Sequence, residues 1–232
     1  MADYLFPPAP VVSVPVAGTG AAYPIRRIFC VGRNYAAHAA EMGNEVDREA
    51  PFYFTKTPAS VVMSGAEVAY PPGTEDLHHE MELSFAMGAE VFRGDADTAL
   101  DAVLAYGCAL DMTRRDLQAE AKGKRRPWSL GKDFEGAAVL APMTRATEVG
   151  EIGAQRLWLD VNGARRQEAL LSDMIHGVAG IIAHLSRYYH LGPGDLILTG
   201  TPAGVGAVGP GDVLTGGIDG LAPVTLTLGP KD

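Results

Sequence analysis

Leu77-His78-His79-Glu80-Met81-Glu82-Leu83-Ser84-Phe85-Ala86-Met87-Gly88 alternates polar and apolar residues from Glu80 to Phe85, which is the period of a β-strand. In a strand, His78, Glu80 and Glu82 point to one face and Met81, Leu83, Phe85 and Met87 to the other. The two carboxylates then stand about 7 Å apart along the backbone and can converge on one cation. A helix would turn them apart. Two readings fit: an amphipathic strand with a solvated acidic face, or paired ligands for a cation.

The rest of the chain sets the frame for that strand. Its 232 residues, 47% hydrophobic, can bury a full core, and no internal repeat or low-complexity linker divides them. A single domain over 1–232 is expected. Cys30 and Cys108 lie far apart in apolar runs and make neither a zinc spacing nor a disulfide framework, as expected of reduced thiols in a cytoplasmic protein. Met1 to Pro8 has no basic n-region, so it does not read as a signal peptide, and no apolar run is long enough to span a membrane. A formal charge of −9 argues against a nucleic-acid partner. The basic cluster Lys122-Gly123-Lys124-Arg125-Arg126 reads as a solvated loop after a helix.

In chain order, residues 1–24 are expected as an extended arm, and Arg27 to Val31 as a short buried strand. Asn34 is a good N-cap and Gly43 a good stop, so a helix of about two turns should lie between them, and the glycine-bounded segment 34–42 could move as a lid. His38 and Glu41 share a face of that helix. They read either as an exposed pair or as an imidazole oriented by a carboxylate to act as a general base. Pro51 to Val62 contains a strand ending near Lys56, Glu67 to Tyr70 another, and Val103 to Leu110 delivers Asp111 to a strand-to-helix junction. There Asp111 either caps backbone amides or holds a ligand. Thr113 to Asp116 resembles a capping box for a helix running towards Lys122.

Lys132 alone would be an ordinary surface lysine. Leu157 to Val161 followed by Asn162-Gly163 predicts a hairpin with a type I′ turn. Ser172 should cap a long helix carrying Met174, Val178, Ile181, Ile182, Leu185 and Tyr189, ended by Gly192 and Pro193, with His176 and His184 as bystanders. Gly204, Gly206 and Gly209 match a dinucleotide fingerprint by spacing only, because Pro210-Gly211-Asp212 opens a turn where a helix would have to start. What remains is a strand ending in a glycine-rich loop whose amides, with the Thr201 hydroxyl, can approach a ligand carboxylate.

Five of these stretches, FCVGRNYAAHAAEMG (29–43), HHEMELSFAMG (78–88), ALDMTRRDLQ (109–118), PWSLGKDF (127–134) and GDLILTGTPAGVG (194–206), resemble the fumarylacetoacetate hydrolase family in the family's order. The resemblance implies an α+β, β-rich fold, a mixed β-roll with peripheral helices, assembled as a homodimer and holding Mg²⁺ or Mn²⁺. It implies that Glu80, Glu82 and Asp111 are metal ligands, that His38 and Glu41 activate water, and that Lys132 polarises the substrate. It also places Arg33, Tyr35, Arg115, Gln118 and Thr201 against a small dicarboxylate or 2-oxo acid.

Such a ligand set agrees with elementary chemistry, because three carboxylates form a hard oxygen site suited to Mg²⁺ or Mn²⁺. The implied activity is metal-dependent hydrolysis of a carbon–carbon bond in a 2,4-dioxo acid, foremost fumarylpyruvate to fumarate and pyruvate. Oxaloacetate decarboxylation with the same metal, and a non-catalytic metal-binding role, are the alternatives. Two departures from the family pattern, Thr57 between Lys56 and Pro58 and Gly131 in place of a commoner alanine, bear on the pocket rather than on the ligands.

Overall fold

The computed structural model describes residues 3–41, 43 and 48–231. Met1 and Ala2 of the expected arm and Met42 of the expected lid lie outside the described residues. The chain opens with β1 (Ser13–Pro15), β2 (Ala22–Pro24) and β3 (Arg27–Gly32), then helix α1 (Ala36–Glu41). Next come β4 (Phe52–Lys56), β5 (Val61–Met63), β6 (Ala66–Tyr70), β7 (Leu77–His79), β8 (Met81–Met87) and the short α2 (Ala96–Ala99). Strands β9 (Val103–Asp111) and β10 (Thr113–Arg114) precede α3 (Arg115–Gly123) and α4 (Ser129–Lys132). Then follow β11 (Ala138–Leu140), β12 (Thr144–Arg145), α5 (Ala146–Val149), β13 (Arg156–Val161) and β14 (Ala164–Leu170). Helix α6 (Val178–Leu185) leads to β15 (Asp195–Leu198), β16 (Gly206–Val208), β17 (Val213–Ile218) and β18 (Val224–Lys231).

An eight-stranded sheet runs β4-β3-β15-β8-β9-β11-β5 with β12 beside β9, and a five-stranded sheet runs β14-β13-β17-β18-β6. Most neighbours are antiparallel, but β15 with β3, β11 with β5 and β18 with β6 are parallel, so the roll is mixed and β-rich, as the resemblance implies. The two sheets share a core in which Leu83 and Phe85 of β8 join Leu157 and Leu159 of β13, Leu214 of β17 and Leu226 of β18. Each such side chain contributes about 1.5–3 kcal/mol on burial. The opposite face of the large sheet is covered too: Val14 and Tyr23, from the β1-β2 hairpin, belong to a second cluster with Ala86, Ala109 and Leu198. The third sheet, β10-β7-β16, ties the residues just before β8 to the glycine-rich stretch.

Local patterns are met where pairing partners are near in sequence. Asn162 and Gly163 both take positive φ, 52° and 77°, as a type I′ turn between β13 and β14 requires. Where a distant segment competes, the local expectation gives way. Residues 12–24 fold back as a hairpin, not an extended arm, because Val14 and Tyr23 find apolar surface to cover. Asn34 does not cap α1; its amide donates to the carbonyls of His176 and Thr199 and accepts from the His176 N–H. The Asn34 carbonyl takes the Ile175 N–H and Tyr35 bridges Met174 in antiparallel fashion, so residues 174–176 are held out of a helix. The long helix expected from Ser172 therefore shortens to α6, starting after Gly177. The expected capping box is also absent: Thr113 donates to the Asp111 carbonyl, and Asp116 reaches out to Thr74 Oγ1 and the Glu75 amide.

Candidate metal centre and active site

Strand pairing builds the acidic cluster. The Asp111 amide donates to the Glu80 carbonyl at 2.8 Å, and β8 pairs antiparallel with β9 so that Glu82 lies opposite Ala109. Glu80, Glu82 and Asp111 each bring a carboxylate oxygen within 4.8 Å of the others. All three are buried, at 5%, 2% and 0% exposure. The solvated acidic face is thus overturned, since sheet packing leaves neither face of β8 in water. Asp111 does not cap α3 either; its side chain faces lysines.

Buried carboxylates need partners, and three cations supply them. Lys132, delivered by α4 and not on the surface, donates to Glu80 Oε2 at 2.6 Å, Asp111 Oδ2 at 2.9 Å and Thr113 Oγ1 at 2.7 Å. Arg115, opening α3, donates to Glu80 Oε1 at 2.6 Å and to Gln118 Oε1. Lys56, at the end of β4, has its Nζ 2.9 Å from Asp111 Oδ1 and also donates to the Lys132 carbonyl. Sequence reasoning missed Lys56 as part of the site. The signal was there: the period of β4 puts Lys56 on the side of Phe52 and Phe54, and a lysine turned inward among aromatics needs an anion.

Glu82 is the unequal member. Its Oε2 accepts from the Gly200 amide at 2.7 Å, but among the described residues no cation stands within ion-pair distance of it. Burial, with Asp111 and Glu80 beside it, pushes Glu82 well above the usual carboxylate range. For Glu80, burial acts in the same direction but Lys132, Arg115 and His38 outweigh it and hold the carboxyl below its ordinary value. Burial would lower Lys132, yet Asp111 and Glu80 raise it, so it stays charged. Asp111 Oδ1, though close to Lys56, accepts no hydrogen bond of good geometry. A buried carboxylate short of positive charge beside an under-satisfied oxygen, in an all-oxygen set, fits a hard divalent ion such as Mg²⁺ or Mn²⁺.

His38 and Glu41 close the other side. His38 is buried, its Nδ1 3.3 Å from Glu41 Oε2, and the Gly204 amide donates to both oxygens of Glu41 at 3.1 and 3.2 Å. Burial holds the imidazole below its ordinary value, against the pull of Glu80 and Glu41. Gly204 is required here: its φ is +94°, and a Cβ would stand 2.0 Å from the Arg166 carbonyl. The glycine-rich loop therefore aims two amides at protein carboxylates, Gly200 at Glu82 and Gly204 at Glu41. Thr201 lines the cavity, but its hydroxyl donates to the Met81 carbonyl and accepts from Gln167 Nε2, so it has no proton left for a ligand.

A small cavity of about 30 Å³, the space of a water or two, is lined by His38, Glu80, Glu82, Arg115, Gln118 and Lys132, among others. It adjoins an open cleft of about 610 Å³ walled by Phe52, Phe54, Trp128, Arg33 and the basic cluster, whose Lys122, Arg125 and Arg126 are not simply a solvated loop. The aromatics were not anticipated as cleft residues. Tyr35 lines neither space; it is 2% exposed, and its hydroxyl has no partner among the described residues. Its isolated bridge to Met174 commits it to the core.

Known proteins align with this arrangement. Residues 27–228 match the family model described as fumarylacetoacetate (FAA) hydrolase C-terminal. A fumarylpyruvate hydrolase from Ralstonia sp. is 50% identical over 196 residues, covering 82% of this chain and 100% of that protein. A mitochondrial oxaloacetate tautomerase from Rattus norvegicus is 43% identical over 199 residues, covering 84% and 88%. The crystal structure of fumarylpyruvate hydrolase from Pseudomonas aeruginosa in complex with Mn²⁺ and pyruvate superposes with a TM-score of 0.95 at 41% identity, covering 99% of this chain and 100% of that one.

Proposed function

The chain belongs to the fumarylacetoacetate hydrolase family, and on that premise we propose that it hydrolyses a carbon–carbon bond in a 2,4-dioxo acid, fumarylpyruvate to fumarate and pyruvate, with Mg²⁺ or Mn²⁺ held by Glu80, Glu82 and Asp111. The observation that carries this reading is the His38–Glu41 pair, Glu41 held by the Gly204 amide and His38 facing the same small cavity as Glu80 and Glu82. A hydrolase needs a base for water at that place.

When bound, the ion supplies Lewis acidity towards the keto-acid end of the substrate. The chain's own residues do the rest. Glu41 accepts from Nδ1 of His38, leaving Nε2 to take a proton from water. The oxygen of that water bonds to the distal keto carbon. The bond between this carbon and the methylene then breaks, its electron pair going to the methylene carbon to give the pyruvate enolate. The His38 proton is then available to that carbon, so water and the 2,4-dioxo acid balance against one carboxylic acid and pyruvate. Lys132, charged and buried, stabilises the developing oxyanion and enolate. Arg115 and Gln118, on the cavity wall, contact the substrate's keto-acid end.

Charge arithmetic supports an anionic substrate. Glu80, Glu82 and Asp111 carry three negative charges when ionised, and Lys56, Arg115 and Lys132 carry three positive ones. A divalent ion tips the site to plus two, which matches a dianion despite the chain's overall charge of −9.

A second reading, oxaloacetate chemistry at the same centre, rests on the relative that is 43% identical. Neither tautomerisation nor decarboxylation consumes an activated water, so the two are separable. Purified protein with Mn²⁺ should cleave fumarylpyruvate and acetylpyruvate to pyruvate. Turnover of oxaloacetate with neither acylpyruvate cleaved would overturn hydrolysis.

Three features complete the proposal. Of the expected lid 34–42, Asn34 and Tyr35 are anchored in the fold, and it is α1 that closes over substrate, read as slower amide exchange in that helix with a bound 2-oxo acid analogue than without. The protein is a cytoplasmic homodimer, for which sedimentation at micromolar concentration should give twice the chain mass. It works as a single catalytic domain.

A further inference from the structure

The cleft beyond the metal centre is built from two kinds of side chain in contact. Trp128 packs against Phe52, with ring centroids 4.9 Å apart, and against Phe54 at 5.9 Å. Each ring of this trio also carries a cation: Lys132 Nζ lies 4.9 Å from the centre of Phe54, Lys122 Nζ 5.7 Å from Trp128, and the Arg33 guanidinium 5.9 Å from Phe52. The run therefore begins at the lysine that touches Glu80 and Asp111 and ends at Arg33 and Lys122. Arg33, Phe54, Lys122, Trp128 and Lys132 all border both the small cavity and the large cleft, so the two spaces are continuous.

Arg33 and Lys122 differ from the cations of the metal centre in their pairing among the described residues. Among the described residues neither stands within ion-pair distance of a carboxylate, whereas Lys56, Arg115 and Lys132 all do. Burial, together with the positive charges of Arg33 and Arg115, holds the Lys122 amine below its ordinary value. Arg33 also sits in the left-handed region, φ 58°, a conformation costly for a side chain with a Cβ and maintained only where the surroundings impose it. Asn34, tied to residues 176 and 199, imposes it here.

We propose that Arg33 and Lys122, above the aromatic floor of Phe52, Phe54 and Trp128, form a tail subsite that selects acylpyruvates whose acyl group is flat and ends in a carboxylate. The reading rests on the acylpyruvate hydrolase function. A conjugated chain stacks on aromatic faces at little entropic cost, and a carboxylate beyond it meets two cations that hold no ion pair among the described residues. A methyl-ended acyl group would leave both unmet. The tail subsite thus discriminates between acylpyruvates, while the metal centre treats their shared pyruvate end alike.

The test compares the wild type with Arg33→Gln/Lys122→Gln, both Mn²⁺-loaded, on fumarylpyruvate and acetylpyruvate, with fumarate titrated calorimetrically as an independent probe of the subsite. The ratio of kcat/KM for fumarylpyruvate to that for acetylpyruvate should fall at least about tenfold, mostly through KM, and fumarate binding should weaken by a similar factor. Trp128→Leu should lower the same ratio with both charges in place. Equal losses on the two substrates, or an unchanged ratio with unchanged fumarate affinity, would overturn the proposal. If the wild type cleaves neither acylpyruvate, the functional reading falls on its own, and the fumarate titration still decides the subsite.

Discussion

The amide of Gly200 donates to Glu82 Oε2 at 2.7 Å, joining the glycine-rich loop to the one carboxylate of the cluster that has no cationic partner among the described residues. A buried carboxylate raised above its unfolded value favours folding fully at pH below that unfolded value, and the contribution is lost as pH rises through the folded one. In metal-free protein Glu82→Gln should therefore raise Tm, by a margin that widens with pH. The same variant should weaken Mn²⁺ binding by at least about ten- to a hundredfold, the loss attached even to outer partners of a metal site. Thermal melts across pH and calorimetric Mn²⁺ titration check both; unchanged affinity would remove Glu82 from the ligand set.

On the proposed mechanism His38 should set the acid side of the rate profile. Its imidazole is held below 6.5 by burial, so it is an unprotonated base at neutral pH and is lost only as pH falls through that lowered value. The acid limb of kcat/KM should lie below pH 6.5. His38→Ala should lower kcat by about 10²–10⁴-fold and leave Mn²⁺ affinity intact. Retention of full acylpyruvate cleavage in the variant would reduce His38 and Glu41 to a structural contact.

Lys132 bridges Glu80 and Asp111, so Lys132→Met removes the charge proposed to act on the reacting oxygens and restores repulsion between two carboxylates. Turnover at saturating Mn²⁺ should drop by about 10²–10³-fold, and Tm should fall more without the ion than with it. Steady-state kinetics with a metal titration separates the two effects. Full turnover at saturating metal would leave Lys132 a purely structural cation.

Gly204→Ala tests the loop that orients the base. The new Cβ meets the Arg166 carbonyl, and φ +94° is strained for any side chain. The loop must shift, withdrawing its amide from Glu41. The expected result is a loss of stability of about 1 kcal/mol or more and a kcat reduced to that of Glu41→Ala, both read from parallel melts and kinetics. A stable variant with normal kcat would show that Glu41 needs no such support.

Much of this site was legible in the residues themselves. The alternation through Glu80 and Glu82 places Met81, Leu83, Phe85 and Met87 in the main core, as a two-residue period requires. His38 and Glu41 meet because three residues make nearly one helical turn, and Asn162-Gly163 turns where only its own backbone freedom is at issue. Family motifs added Asp111 and Lys132, which no spacing could have joined to Glu80.

Other features depended on distance in the chain. Whether Glu80 and Asp111 meet water or cations is not written in their own stretches; it follows from Lys56, Arg115 and Lys132 arriving from β4, α3 and α4. The helix expected from Ser172 failed at 174–176 because Asn34, 142 residues before His176, offers those backbone groups better partners than a first helical turn does. Lys122, in a basic stretch that reads as solvated, is instead half-buried against Trp128 and close to Arg33. Periodicity and turn chemistry act over a few residues, so they carry the core face of β8, the Asn162-Gly163 turn and the His38–Glu41 pair, but not the break at Glu80 that divides the expected strand into β7 and β8 of different sheets. Charge burial is settled by whatever packs opposite, so packing between distant segments alone neutralises Glu80 and Asp111, leaves Glu82 without a cation among the described residues, and sets Arg33 and Lys122 over aromatic rings.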